Sequence, residues 1–308
     1  MATLSKNAEC PICGRSSSPL SSRRFPKFVA CARCGGFFLA DPAAVGTEYD
    51  DEYFEASGAP TLASRLARPI FNFFLYLRFR KVRSFLGEGR ARVLDYGAGS
   101  GALVGYLRAR GIDAVGYDPS PAAVMAAVSK GIPVSRDLPP GPYDLIMFWH
   151  SLEHSDRPKQ VLDEARGLFA PGGKLLIAVP NAASWEARLA GERWFHYDYP
   201  FHRVQFTPTA ITMLLERIGF RALSIDFFNP EYTVSGFLQT FLNFLFLKNA
   251  LYTVVSHRRA NVSQQKAMFS AMAGLLFLVV FSPLIGAFFI LEFIFHKTGA
   301  IIVTAERL

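Results

Sequence analysis

The predicted fold class is α/β: a doubly wound, seven-stranded sheet with helices on both faces. Three observations predict it. Between residues 91 and 228, short β-branched runs alternate with stretches of helical periodicity, the pattern of a parallel sheet. A glycine-rich turn, Gly97-Ala98-Gly99-Ser100-Gly101, follows the first of those runs. An acid, Asp118, ends the second run about 20 residues later, at the edge where such sheets bind nucleotides.

The 308 residues fall into four regions. Residues 1–45 hold every cysteine among Ser, Arg, Pro and Gly, and read as a small loop-rich unit. Residues 46–90 are a linker and a basic amphipathic helix. In it Leu62, Leu66, Ile70, Phe73, Phe74 and Leu77 recur at helical spacing, with Arg65, Arg68, Arg78, Arg80, Lys81 and Arg83 between them. Strands are expected at 91–96, 114–118, 132–135, 144–149, 173–179 and 220–228, and helices near 101–110, 120–130, 157–169 and 208–218. Residues 229–298 are an apolar insert. Residues 300–306 read as one more strand, so the central domain is 91–228 plus 299–308.

Composition bounds the function. The chain is 51% hydrophobic and only 19% charged, against about 25% for a typical soluble domain, which excludes intrinsic disorder. Its 29 phenylalanines exceed what one core of this size needs and suggest a segment solvated by lipid. The net charge of +8 fits either nucleic acid or an anionic membrane surface. Met1 to Glu9 has no apolar run, so no signal peptide is expected and the protein should stay in the cytosol, touching a membrane.

The cysteines form two knuckles, Cys10-Pro-Ile-Cys13-Gly14 and Cys31-Ala-Arg-Cys34-Gly35, separated by 17 residues. Two residues between thiolates let one tight turn aim both sulfurs at one metal, and the glycine after each pair lets the backbone turn. Two such pairs make a closed Cys₄ set, the ligands of structural zinc. With no position left for water, the zinc is expected to support docking or substrate selection.

In the glycine loop, Gly97-x-Gly99-x-x-Ala102 also satisfies a dinucleotide fingerprint. Asp95, at the end of the first strand, helps to separate the readings. A carboxylate there would repel a pyrophosphate but suits a ligand with a cationic amino group, which favours S-adenosylmethionine over NAD.

From Val93 to about Phe228 the chain resembles the class I S-adenosylmethionine-dependent methyltransferases, and within them the ubiquinone-biosynthesis O-methyltransferase group. The matching pieces occur in order: Asp95-x-Gly97-x-Gly99-x-Gly101, Asp118, Arg136-Asp137-Leu138, Tyr143-Asp144-Leu145-Ile146, Leu152-Glu153-His154, and Leu168 through Leu175 leading to Val179-Pro180-Asn181. Some members also carry N-terminal knuckles followed by a segment like Tyr49 to Phe54, and a late motif like Asp198-Tyr199-Pro200-Phe201-His202 with Phe206-Thr207. The resemblance implies a seven-stranded Rossmann-like methyltransferase sheet. It also implies that Gly97, Gly99 and Gly101 wrap the methionine part of the cofactor while Asp95 orients its amino group. Asp118 would hold the ribose, and Asp137 with Leu138 the adenine.

Methyl transfer to a hydroxyl needs a base, and histidine is the natural one. His150, Glu153 and His154 follow the fourth strand at its carboxyl edge, and His202 lies in a long segment after Pro180 that reads as a substrate lid with His196 and several aromatics. These four, His150, Glu153, His154 and His202, are the candidate catalytic residues. In the ubiquinone-pathway relatives this stretch has been linked to a divalent metal, but His150 stands at its first position here, which weakens a magnesium reading. Holding the following helix, and packing the lid, are the competing structural roles.

Ala267 to Leu291 carries no charge and is interrupted by Ser282-Pro283; an earlier uncharged run, Tyr232 to Leu247, holds Gln239 and Asn243. If 300–306 pairs beside the sixth strand, the ends of the insert lie together on one side of any membrane. That excludes a single crossing and leaves a two-span hairpin, a re-entrant loop, a surface patch or a soluble helical subdomain. His257, Arg258, Arg259 and Lys266 between the runs favour a re-entrant element with the first run in the interface. The expected function is therefore methylation of a lipid-linked or apolar small-molecule acceptor, with oxygen the expected atom, at the cytoplasmic face of a bacterial inner membrane. A non-catalytic scaffold and an RNA methyltransferase are the alternatives, and nucleic acid is disfavoured because the basic residues flank apolar stretches.

Overall fold

The computed structural model describes residues 8–17, 20–39, 41–42, 62–87, 89–245 and 264–308. The Tyr49–Phe54 segment, His257, Arg258, Arg259 and the side chains of Arg65, Leu66 and Lys266 lie outside the described residues.

Seven strands form the central sheet: β1 (Arg92–Tyr96), β2 (Asp113–Tyr117), β3 (Val134–Ser135), β4 (Tyr143–Trp149), β5 (Phe169–Pro180), β6 (Phe220–Asp226) and β7 (Ala300–Arg307). Their order is β3-β2-β1-β4-β5-β7-β6, and only β7 runs antiparallel to its neighbours. Alternation along β4 and β5 divides the core. Ile146, Phe148, Leu175, Ile177 and Val179 face one layer, while Leu145, Met147, Leu176 and Ala178 face the other. The first layer holds α4 (Pro158–Arg166) and α6 (Pro208–Arg217), and the second α1 (Leu62–Arg83) and α2 (Ala102–Arg108). A third helix, α3 (Pro121–Val128), precedes β3, and a short helix, α5 (Trp185–Ala190), is the lid helix that follows β5. Proline in the first turn and a hydroxyl cap start α3 and α6, where Ser120 Oγ accepts from Ala123 N–H and Thr207 Oγ1 from Ala210 N–H.

The third strand begins at Val134 and the fifth at Phe169 rather than at 132 and 173. The helix expected to reach 169 stops at Arg166, because Phe169 already pairs with Tyr143 as the first residue of β5. The register then slips before Lys174, where Gly172 takes φ 75°.

The N-terminal unit is not freestanding. Its strands Leu20–Ser21, Phe28–Ala30 and Phe37–Leu39 continue into Val204–Gln205 of the lid as one four-stranded sheet. Phe25 stacks on Trp194 and Tyr197, and Arg217 of α6 reaches Glu9 and the Ile12 carbonyl.

The insert also differs in part. Its ends do meet, since Thr298 Oγ1 donates to the Phe227 carbonyl at 2.5 Å. Its first helix, α7 (Ser235–Leu245), was expected to lie in a membrane interface. Instead it packs on the lid, burying Phe237, Gln239, Thr240, Leu242 and Asn243. Asn243 Nδ2 donates to the Arg193 carbonyl and Thr240 Oγ1 accepts from Phe195 N–H. Thr240 and Asn243 are thus spent on lid backbone, and Gln239 Nε2 donates to Asn243 Oδ1. Helices Gln264–Val280 and Ser282–Ile294 follow, broken at Phe281. Pro283 has no N–H for the Val279 carbonyl, which accepts from Ser282 Oγ instead. No described helix is long and apolar enough to cross a membrane.

The basic helix is less open than its composition suggests. Arg78 is half-buried in a bidentate pair with Glu231, Lys81 pairs with Asp226, and Arg83 bonds the Leu86 and Gly87 carbonyls just past the end of the helix. These three are committed to the fold rather than available to anionic headgroups.

Candidate active site

The cysteines converge as expected. Cys10 and Cys34 sulfurs lie 3.9 Å apart, Cys13 and Cys31 3.7 Å, and all four lie within 4.8 Å of one another. A tetrahedron with Zn–S bonds of about 2.3 Å needs sulfurs roughly 3.8 Å apart, so the thiols fit zinc. Gly14 and Gly35 turn each knuckle in the left-handed region, their amides returning to the Cys10 and Cys31 carbonyls. Thr207 Oγ1 donates to the Cys34 carbonyl, so the cysteine unit is bonded to the end of the lid segment.

The cofactor cleft lies at the carboxyl ends of β1 and β2. Gly97 has φ 84°, and a Cβ there would overlap Ser151, which closes one side of the loop. Gly101 is held as tightly against Ile132. Asp118 is buried, its carboxylate accepting Gly99 N–H at 2.7 Å and Ser120 N–H at 3.0 Å, which fastens the loop to the acid that would meet a ribose. Asp95 is 3% exposed, and its Oδ1 has no hydrogen-bond partner. Burial pushes its carboxyl up to about 7, with Arg78 opposing and Asp118 adding to the shift. A buried, unmatched carboxyl on this floor fits the amino group of S-adenosylmethionine. Asp137 is exposed beyond β3, and Leu138 is half-buried beside it.

His150, Glu153, His154 and His202 come together across the end of β4. His150 adopts φ 53° and its Nδ1 lies 3.1 Å from Glu153 Oε1, while its buried Nε2 has no partner. His154 Nδ1 donates to the Phe201 carbonyl and His202 Nδ1 to the His196 carbonyl, which fixes both tautomers. One ligand atom each from Glu153, His154 and His202 lies within 4.8 Å of the others, so this trio could hold a divalent ion. Burial depresses all the histidines here. His150 falls to about 3, with Arg78 contributing, His154 to about 4 and His202 to about 4, and burial raises Glu153. The imidazoles are neutral at pH 7, so none repels a sulfonium.

Two participants were not anticipated. Tyr232, from the start of the insert, stacks on His150 with centroids 3.6 Å apart. Arg78 donates to its hydroxyl and to both Glu231 oxygens. The available signal was Glu231 itself, a charge at the very edge of an uncharged run, where a buried partner is required.

A family model described as a methyltransferase domain matches residues 66–225, more than half of the chain. The ubiquinone biosynthesis O-methyltransferase of Xylella fastidiosa is 33% identical over 104 residues, 30% of this chain and 42% of that protein. Its counterpart from Xanthomonas euvesicatoria pv. vesicatoria is 28% identical over 145 residues, 39% of this chain and 61% of that protein. The chain thus spans less than two-thirds of either relative. Among solved structures, an S-adenosylmethionine-dependent methyltransferase from Mesorhizobium loti superposes with TM-score 0.45 at 15% identity, over 74% of this chain and 96% of that one. One from Archaeoglobus fulgidus gives 0.43 at 18% identity, over 83% and 97%. On the match across 66–225, this chain belongs to the methyltransferase-domain family.

Proposed function

We propose that the protein transfers the methyl group of S-adenosylmethionine to an oxygen of an apolar, lipid-linked acceptor at the cytoplasmic face of a bacterial inner membrane. The observation that carries the cofactor is the unmatched Asp95 carboxyl beside a glycine loop bonded to Asp118. The names of the two O-methyltransferase relatives support oxygen as the methylated atom. In the reaction the acceptor oxygen bonds the methyl carbon in line as the C–S bond breaks. S-adenosylhomocysteine would be the other product, and the hydroxyl proton would be taken at His150 Nε2 as the Nδ1 proton moves to Glu153, the carboxyl that burial raises, so that His150 stays neutral.

Membrane association is supported by the helices after residue 264. Phe269, Leu276, Val279 and Leu284 are each at least two-thirds exposed. Replacing these four by Gln leaves the lid contacts of α7 untouched and should move the protein from the membrane pellet to the supernatant. A quadruple variant that still pellets, or a native protein that never does, removes the membrane from this reading. Binding of labelled S-adenosylmethionine, lost in Asp118→Ala and Gly99→Arg, tests the enzyme itself. Absence of binding in the native chain would leave a non-catalytic scaffold.

A further inference from the structure

A cavity of about 250 Å³ lies between α1 and the foot of the insert, and no glycine-loop residue lines it. Its walls are apolar where Phe74, Leu77 and Phe228 meet. Two of its lining residues carry buried donors without hydrogen-bond partners: Trp149 Nε1, on a residue 8% exposed, and Asn229 Nδ2, on one 2% exposed. Buried N–H groups are as a rule satisfied, so two unmet donors in the wall of one cavity point to an oxygen-bearing ligand that the side chains turn to meet.

Charge narrows the class. Arg78, Arg80 and Lys81 line the cavity against only two carboxylates, Glu231 and Asp226, which pair with Arg78 and Lys81. The lining therefore keeps one positive charge in excess, and an oxyanion satisfies both donors and that charge together. The rim separates an amphiphile from a free anion. Phe228 is 40% exposed and meets Phe293 of the insert edge-on, with centroids 5.6 Å apart. A hydrocarbon chain leaving the cavity would run onto the apolar face of helix Ser282–Ile294.

We propose that this cavity seats the oxyanion head, a carboxylate or phosphate ester, of the amphiphilic acceptor. The proposal rests on the reading of this chain as a methyltransferase for an apolar acceptor. Trp149 and His150 are consecutive at the end of β4, so a head held here stays beside the histidine cluster.

Calorimetry on the full chain with monomeric dodecyl phosphate, inorganic phosphate and dodecyl maltoside tests the assignment, with S-adenosylmethionine titrated in parallel. Dodecyl phosphate should bind one per chain. Asn229→Asp, an isosteric change that puts a negative charge against the head, and Trp149→Phe should each weaken it about tenfold or more, leaving cofactor affinity unchanged. Equal binding of the maltoside, equal binding of inorganic phosphate, or undiminished binding in both variants would overturn the proposal. If the cofactor binds and dodecyl phosphate does not, the cavity assignment fails alone. If dodecyl phosphate binds through these donors and the cofactor does not, the methyltransferase reading fails instead.

Discussion

Tyr232 lies flat on His150, ring centroids 3.6 Å apart and planes 28° from parallel. One residue belongs to the apolar insert and the other directly follows the central strand of the sheet. The insert therefore helps to build the active site as well as presenting an apolar surface. The stack is held from behind: Arg78 donates to the Tyr232 hydroxyl at 3.2 Å while Glu231 fixes the guanidinium, and His196 Nε2 faces the Tyr232 carbonyl. Gly236 makes the approach feasible, since a Cβ there would collide with His196.

Tyr232→Ala should therefore lower the methyl-transfer rate without changing cofactor affinity. His150 sits in a left-handed conformation that costs a non-glycine residue energy, and losing the ring over it frees the imidazole to reorient. A rate loss of about 10–100-fold is expected from such misplacement. Tyr232→Phe keeps the stack and gives up the Arg78 hydrogen bond, so it should stay within about threefold of wild type. Turnover of labelled S-adenosylmethionine decides. Equal losses in the two variants would mean that the hydroxyl, not the stack, matters.

Cofactor affinity should depend on pH through Asp95. Burial pushes its carboxyl up to about 7, because it outweighs the Arg78 charge. A cationic amino group binds the ionised form, so protons compete with the cofactor. Affinity should fall about tenfold for each pH unit below about 7 and level off above it. Asp95→Asn should bind weakly at every pH with no slope. Kd for S-adenosylmethionine from pH 5.5 to 8 checks this; a wild-type profile without slope would sink it.

Much of this was legible in the sequence, and the limits have physical reasons. All seven strands were readable because β-branched runs and glycine turns are local signals. The cysteine tetrahedron was readable from spacing alone. The docking of the cysteine unit was not, because Phe37–Phe38 pairs with Val204–Gln205, strands far apart in sequence with no shared local pattern. The first insert helix was misplaced because Gln239 and Asn243 look like a solvent face. Their partners are each other and the Arg193 carbonyl, which only the tertiary fold supplies. In sequence Arg78 is only one of several basic residues on an amphipathic helix, since its partner Glu231 lies 153 residues further along the chain.

Removing zinc should loosen the lid. The cysteine unit is continuous with Val204–Gln205, and Phe25 stacks on Trp194. One zinc per chain should be released on titrating the thiols. Cys34→Ser should lower Tm by roughly 5–10 °C and shift the fluorescence of buried Trp194 toward solvent. Loss of metal with an unchanged Trp194 environment would show that the lid holds without the knuckles.

Glu186 of the lid helix and Glu292 of the insert are buried together, Glu292 Oε1 accepting Glu186 N–H at 2.8 Å. Gly299 leaves space for the Glu186 carboxyl that any Cβ would fill. Burial raises both, Glu292 to about 7 and Glu186 well above its ordinary value, with the neighbouring Glu292 charge adding to the Glu186 shift. For an acid whose folded pKa is raised, the folded state holds more protons than the unfolded one between the two values. The pair's stabilising effect is thus complete below about 4.5 and is lost as pH rises through about 7. Glu292→Gln keeps the acceptor for Glu186 N–H and removes one ionisable group. Its Tm should match wild type at pH 5 and exceed it by roughly 3–6 °C at pH 8. A variant less stable than wild type at pH 8 would mean that the native carboxylate is held ionised by contacts that outweigh burial, and the lid–insert contact would then gain from charge at Glu292 rather than lose by it.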